Sequence, residues 1–78
     1  MKIKTLIAIL NLCKNPTTST QIFRILNYSY DSIRDYTLHL IKYGLMDISN
    51  TQDKRTKTFK TTSKGLKFLS LYKDTEVK

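Results

Sequence analysis

The sequence predicts a mainly α domain carrying one β-hairpin, in the order α-α-α-β-β-α. Three observations lead there. Apolar residues recur at helical spacing in four separate segments. Between the third and fourth, Gly44 follows a helical run and two short β-type runs flank a polar, cationic tip. The chain has 78 residues, enough for one domain, expected to occupy 1–74 with a frayed tail at 75–78.

The first helix is expected over residues 2–14. Ile3, Leu6, Ile7, Leu10 and Cys13 share one stripe, and Ile9 and Leu12 fall off it on another side. Asn15-Pro16 stops this helix, because proline disfavours helical backbone in the residue before it. Thr17 adds a short extended stretch. The second helix opens at Thr18-Ser19-Thr20-Gln21, where Thr18 and Gln21 have the spacing of a capping box. Ile22, Ile25 and Leu26 form its buried side, with Phe23 at the edge. Asn27-Tyr28-Ser29 is a turn, and Ser29 is the N-cap of a third helix over 30–43. The core stripe of that helix is Ile33, Tyr36 or Thr37, Leu40 and Ile41. Asp31, Ser32, Asp35, His39 and Lys42 point away from it, with Arg34 and Leu38 on the flank. Gly44 ends it as a left-handed C′ residue. Residues 45–49 and 57–62 form a strand pair joined by a polar loop at 50–56, with Phe59 the single apolar anchor of the second strand. Thr62 or Ser63 caps the fourth helix. Leu66 and Leu69 share one of its faces, and Phe68, Leu71 and Tyr72 share another.

Charge narrows the class of partner. The net charge is +8, and the seven Lys and Arg residues between Lys54 and Lys73 are interrupted by no acid. A polyanion is the natural partner of such a stretch. Cys13 is the sole cysteine, which excludes an intrachain disulfide, and its apolar neighbours make it a core residue. One His and one Cys make no metal-ligand set, and Gly44 and Gly65 are too far apart for a phosphate loop. No nucleophile motif is present, so the chain is not expected to be an enzyme, and no cofactor or small-molecule ligand is predicted. The N-terminal run at 6–10 is short, Asn11 interrupts it and no small-residue cleavage site follows; it reads as helix rather than as a secretion signal. No segment is long and apolar enough to span a membrane, and a cytoplasmic location is expected, that of a host cell if the chain is viral.

A short helix, a turn, a longer helix and a basic hairpin make up a winged helix-turn-helix, in which the longer helix enters a DNA major groove. Its outward residues toward the N-terminal end are Tyr30, Asp31, Ser32, Arg34 and Asp35, with His39 further along. Arg34 suits a guanine edge, and Ser32 suits a base or a phosphate. Asp31 and Asp35 repel phosphates, yet an aspartate can accept from cytosine or hold Arg34 in place. Lys54 and Arg55 at the wing tip, with Lys57 beyond, suit a minor groove or flanking phosphates. Thr18 and Ser19, at the start of the second helix, and Ser29, at the start of the third, offer hydroxyl and N–H donors to a phosphate as well as capping their helices. Ile9 and Leu12 on the first helix, with Phe68, Leu71 and Tyr72 on the last, exceed the needs of one small core. That surplus points to a homodimer interface; the alternative is that the two helices cover each other within one chain.

Two further patterns carry a resemblance. Phe59-x-x-Thr62-x-Lys64-Gly65-Leu66-x-Phe68-Leu69 and Tyr36-x-x-x-Leu40-Ile41-x-x-Gly44-Leu45 resemble the wing-to-last-helix segment and the recognition-helix exit of small archaeal winged-helix regulators and chromatin-type proteins. Thr37 departs from the apolar residue usual at its position. The resemblance implies DNA binding by homodimers that often pair through the last helix as a coiled coil. A helix ending near Lys73 implies a compact interface instead. It also fits an archaeal, viral or plasmid regulator. The expected function is therefore that of a homodimeric, sequence-specific double-stranded DNA-binding protein, a transcriptional regulator. The alternatives are a nonspecific DNA-coating protein and a protein-interaction winged helix without DNA binding.

Overall fold

The computed structural model describes residues 2–50 and 57–76. Its elements run α1 (Ile3–Leu12), β1 (Thr17–Thr18), α2 (Ser19–Leu26), α3 (Tyr30–Lys42), β2 (Met46–Asn50), β3 (Lys57–Thr61) and α4 (Ser63–Glu76). The expected order holds, with one addition. The extended stretch at Thr17 is a two-residue strand, and the hairpin becomes a three-stranded antiparallel sheet ordered β1-β3-β2. Thr17 is opposite Phe59 on one side of β3, and Ile48 is opposite Phe59 on the other.

Local chemistry sets the boundaries. Thr18 and Gln21 form a reciprocal capping box: the Thr18 hydroxyl accepts the Gln21 N–H at 3.2 Å, and Gln21 Oε1 accepts the Thr18 N–H at 3.0 Å. Ser29 caps α3 by accepting the Ser32 N–H at 3.2 Å. Asn27 adopts φ 58° at the end of α2, the left-handed conformation that asparagine tolerates better than most residues. Gly44 adopts φ 75° just past α3, where a side chain is strained. Thr62 caps α4 by accepting the Gly65 N–H at 3.1 Å, and it donates its own hydroxyl proton to the Gly44 carbonyl at 2.7 Å. One threonine thus ties the exit of α3 to the start of α4. Beyond Lys73, where the sequence places its end, α4 continues to Glu76.

The core is formed by Ile9, Leu10 and Cys13 of α1 with Ile22, Ile33, Leu40, Met46, Phe59 and Leu69. Several face assignments change. In α1 the buried residues are Thr5, Ile9 and Leu10, with Cys13 just past its end, whereas Ile3 is exposed. Ile9, expected on a spare face, is fully enclosed. In α2, Ile22 is buried and Ile25 is 62% exposed. In α4, Leu69 is buried while Leu66 faces solvent, so these two leucines do not share a face. On α3 the buried position is Thr37 rather than Tyr36. Its hydroxyl donates back to the carbonyls of Ile33 and Arg34, each at 3.0 Å, which lets a polar residue occupy an apolar slot.

Candidate nucleic-acid interface

Helical and strand periodicity assemble one groove on this molecule. It is lined by Ser19 of α2; Tyr30, Ile33, Arg34, Thr37, Leu38 and Ile41 of α3; and Ile48, Lys57 and Phe59 of the sheet. Tyr30, Arg34 and Leu38 are four residues apart, which stacks them along one ridge of α3. Tyr30 is 59% and Leu38 is 56% exposed. The Tyr30 ring meets Phe23 edge-on, with centroids 6.3 Å apart. Alternation along β3 puts Lys57 on the face of Phe59 and Thr61, toward the groove, and puts Lys60 on the opposite face.

The exposed flank of α3 and the base of the wing therefore lie side by side, with a cation on each wall. Among the described residues, no hydrogen bond or ion pair holds the Arg34 guanidinium. Neither Asp31 nor Asp35 anchors it, and among the described residues Arg34 is open to an external acceptor. Asp35 is exposed one residue on, about 100° around the helix.

Other expected contacts fall elsewhere. Ser32 and His39 are about 160° and 140° around α3 from Arg34, away from the wing. Ser32 is half-buried and receives the Ser29 hydroxyl proton at 3.0 Å. His39 Nδ1 is 2.9 Å from the Asp35 carbonyl, and its ring borders a separate apolar hollow with Leu6, Tyr43, Leu45 and Phe68. Thr18 and Ser29 spend their hydroxyls on capping. Ser19 reaches the groove directly. Lys54 and Arg55 lie outside the described residues.

Six groove residues lie outside the expected contact set: Ile33, Thr37, Ile41 and Phe59 were expected in the core, and Leu38 and Ile48 are exposed. The four-residue step from Arg34 identifies Leu38, whereas Ile48 resembles any strand apolar until its partner Phe59 is known to face the groove edge. A second groove lies across the sheet, with Gly44, Asp47, Ser49, Lys60 and Lys64 among its walls. There Asp47 stands directly opposite Lys60, so its charge is offset.

Of the expected dimer residues, Ile9 is enclosed by its own chain and has no surface to offer a partner. Leu12, Phe68 and Tyr72 are half-buried, the Phe68 and Tyr72 rings lie 4.8 Å apart, and Leu71 is 66% exposed. Helices α1 and α4 pack on each other, so part of the surplus apolar surface is used within the chain. Burial pushes the Cys13 thiol up to about 11, and the Thr17 side chain opposes that shift. Among the described residues, no helix is long and apolar enough to cross a membrane.

The architecture has well-defined relatives among solved structures. The adhesin competence repressor AdcR of Streptococcus pyogenes matches with a TM-score of 0.81 at 24% identity, over 90% of this chain and 53% of that one. FabT of Streptococcus pneumoniae, solved in complex with DNA, matches with a TM-score of 0.79 at 24% identity, over 95% of this chain and 53% of that one. MepR of S. aureus in its DNA-binding conformation matches with a TM-score of 0.75 at 19% identity, over 91% and 53%. The chain thus spans about half the length of these proteins, and the likeness is one of fold. It matches no curated protein sequence. The family model described as winged helix-turn-helix matches residues 1–78, and this chain belongs to that family.

Proposed function

We propose that this chain is a homodimeric, sequence-specific double-stranded DNA-binding protein acting as a transcriptional regulator. Helix 30–43 enters the major groove, and the wing at 50–57 grips the adjacent backbone or minor groove. The observation that carries this reading is the groove in which Tyr30, Arg34 and Leu38 face Lys57 and Ser19. An α-helix fits the roughly 12 Å major groove of B-DNA, and side chains on its outer ridge then meet base edges. Arg34 pairs with a guanine O6 and N7, while Ser19 and Lys57 hold phosphates on either side. Thr18 and Ser29 contribute the N-termini of α2 and α3, whose free N–H groups favour an anion. Lys54 and Arg55 supply two further cations for a minor groove or flanking phosphates. FabT was solved with DNA and a MepR variant with an oligodeoxyribonucleotide, which supports DNA as the partner.

Leu71 on α4 is 66% exposed, and with the half-buried Leu12, Phe68 and Tyr72 it supplies the apolar surface for a second copy. A two-fold axis there presents two copies of α3 about 34 Å apart, one turn of DNA. Titration of a labelled duplex over a salt series tests the reading. Affinity is expected to fall steeply as salt rises, because each neutralised phosphate releases counterions. Binding that ignores salt, or no binding at low salt, contradicts it.

A further inference from the structure

The α3 ridge places an apolar side chain where a purely electrostatic grip needs none. Leu38 follows Arg34 by one helical turn and is 56% exposed at the rim of the groove. Ile48 of β2, 43% exposed, faces the same groove, with Ile41 and Phe59 behind. Arg34 and Lys57 flank this apolar strip with positive charge. Such a surface fits a ligand that is anionic at its edges and carries an apolar group at its centre. In a DNA major groove that group is the C5-methyl of thymine, the apolar feature among otherwise polar base edges.

We infer that Leu38 is a specificity-determining residue that reads a thymine methyl, within two base steps of the guanine read by Arg34. The inference rests on the DNA-binding reading above and adds the base to it. The spacing is consistent: four residues along a helix advance about 6 Å, close to two base steps of about 3.4 Å each. Leu38 therefore falls on a base pair within two steps of the one Arg34 contacts. Its exposure means that shortening it leaves the core untouched, unlike Ile33 or Leu40, which are buried on the same helix.

The test starts from a duplex selected by this protein out of a random pool. Each thymine of that duplex is then replaced singly by deoxyuridine, which removes the methyl and nothing else. At one thymine near a selected guanine, the native chain is expected to bind about four-fold more weakly, the effect of losing one buried methyl. Leu38→Ala is expected to bind the parent duplex more weakly and to be indifferent to deoxyuridine at that position. Ile25→Ala removes a similarly exposed side chain outside the groove and should keep the native sensitivity. Binding in which no thymine is sensitive, or in which Leu38→Ala keeps full sensitivity, overturns this inference and leaves the DNA reading standing. Failure to retain any duplex at low salt overturns both.

Discussion

At the scale of single residues, the proposed function assigns Arg34 to reading a base and Lys57 to holding a phosphate. Arg34→Ala is expected to cost about 1–3 kcal/mol on a selected duplex and to relax base preference at one position. Lys57→Ala is expected to weaken binding to all sequences alike and to reduce the salt slope by about one. Comparing the two variants by competition with random DNA distinguishes these roles; equal behaviour contradicts the assignment. Cys13 offers a different check. Its thiol is held protonated up to about 11, so it should resist alkylation in the folded chain at pH 8 and react once the chain is unfolded. The unfolded thiol titrates near 9, and between that pH and about 11 the unfolded chain releases a proton that the folded chain keeps. The contribution of Cys13 to stability is therefore full below pH 9 and is lost as pH rises through 11, which a denaturation series on native and Cys13→Ala chains reads directly. The shared ridge of Tyr30 and Arg34 was legible in the sequence, because a single periodic step places it. That Ser32 and His39 lie outside the groove was not, because being off the core stripe does not specify which side of the helix a residue takes.

At the scale of elements, the caps and glycines decide how α3 and the sheet meet. A Cβ on Gly65 runs into the Leu45 carbonyl and the Thr61 methyl, because the first turn of α4 presses directly against the chain leaving α3. Gly65→Ala is expected to destabilise the fold by about 1–3 kcal/mol, since backbone on one side cannot give way. Thr62→Ala removes both the α4 cap and the link to the Gly44 carbonyl, a loss of about 1–2 kcal/mol. For a domain of this size each kcal/mol lowers Tm by roughly 4–8 °C, which a thermal melt resolves. The boundaries of α2 and α3 were readable because Thr18, Gln21, Ser29 and Gly44 each satisfy a local rule. The faces of α1 and α4 were not. Each helix has apolar residues on more than one side, and tertiary packing selected Ile9 over Ile3 and Leu69 over Leu66. The strand at Thr17–Thr18 was faint because its hydrogen bonds depend on β3, some forty residues away in sequence.

For the whole molecule, the charge, the groove and the apolar outer side of α4 fit a DNA-bound pair. The dimer is expected to sediment at about twice the 9.1 kDa of one chain, and Leu71→Asp should shift it to monomer without unfolding, because Leu71 is exposed. A monomer at all concentrations removes the two-fold arrangement while leaving the groove in place. The central claim is that the outer ridge of α3 and the wing engage one duplex together. Backbone amide NMR shifts recorded as a duplex is titrated in test it most directly. The largest changes are expected to cluster at Ser19, along Tyr30, Arg34 and Leu38, and at Ile48 and Lys57. Changes confined to α1 and α4, or to just one wall of the groove, contradict it.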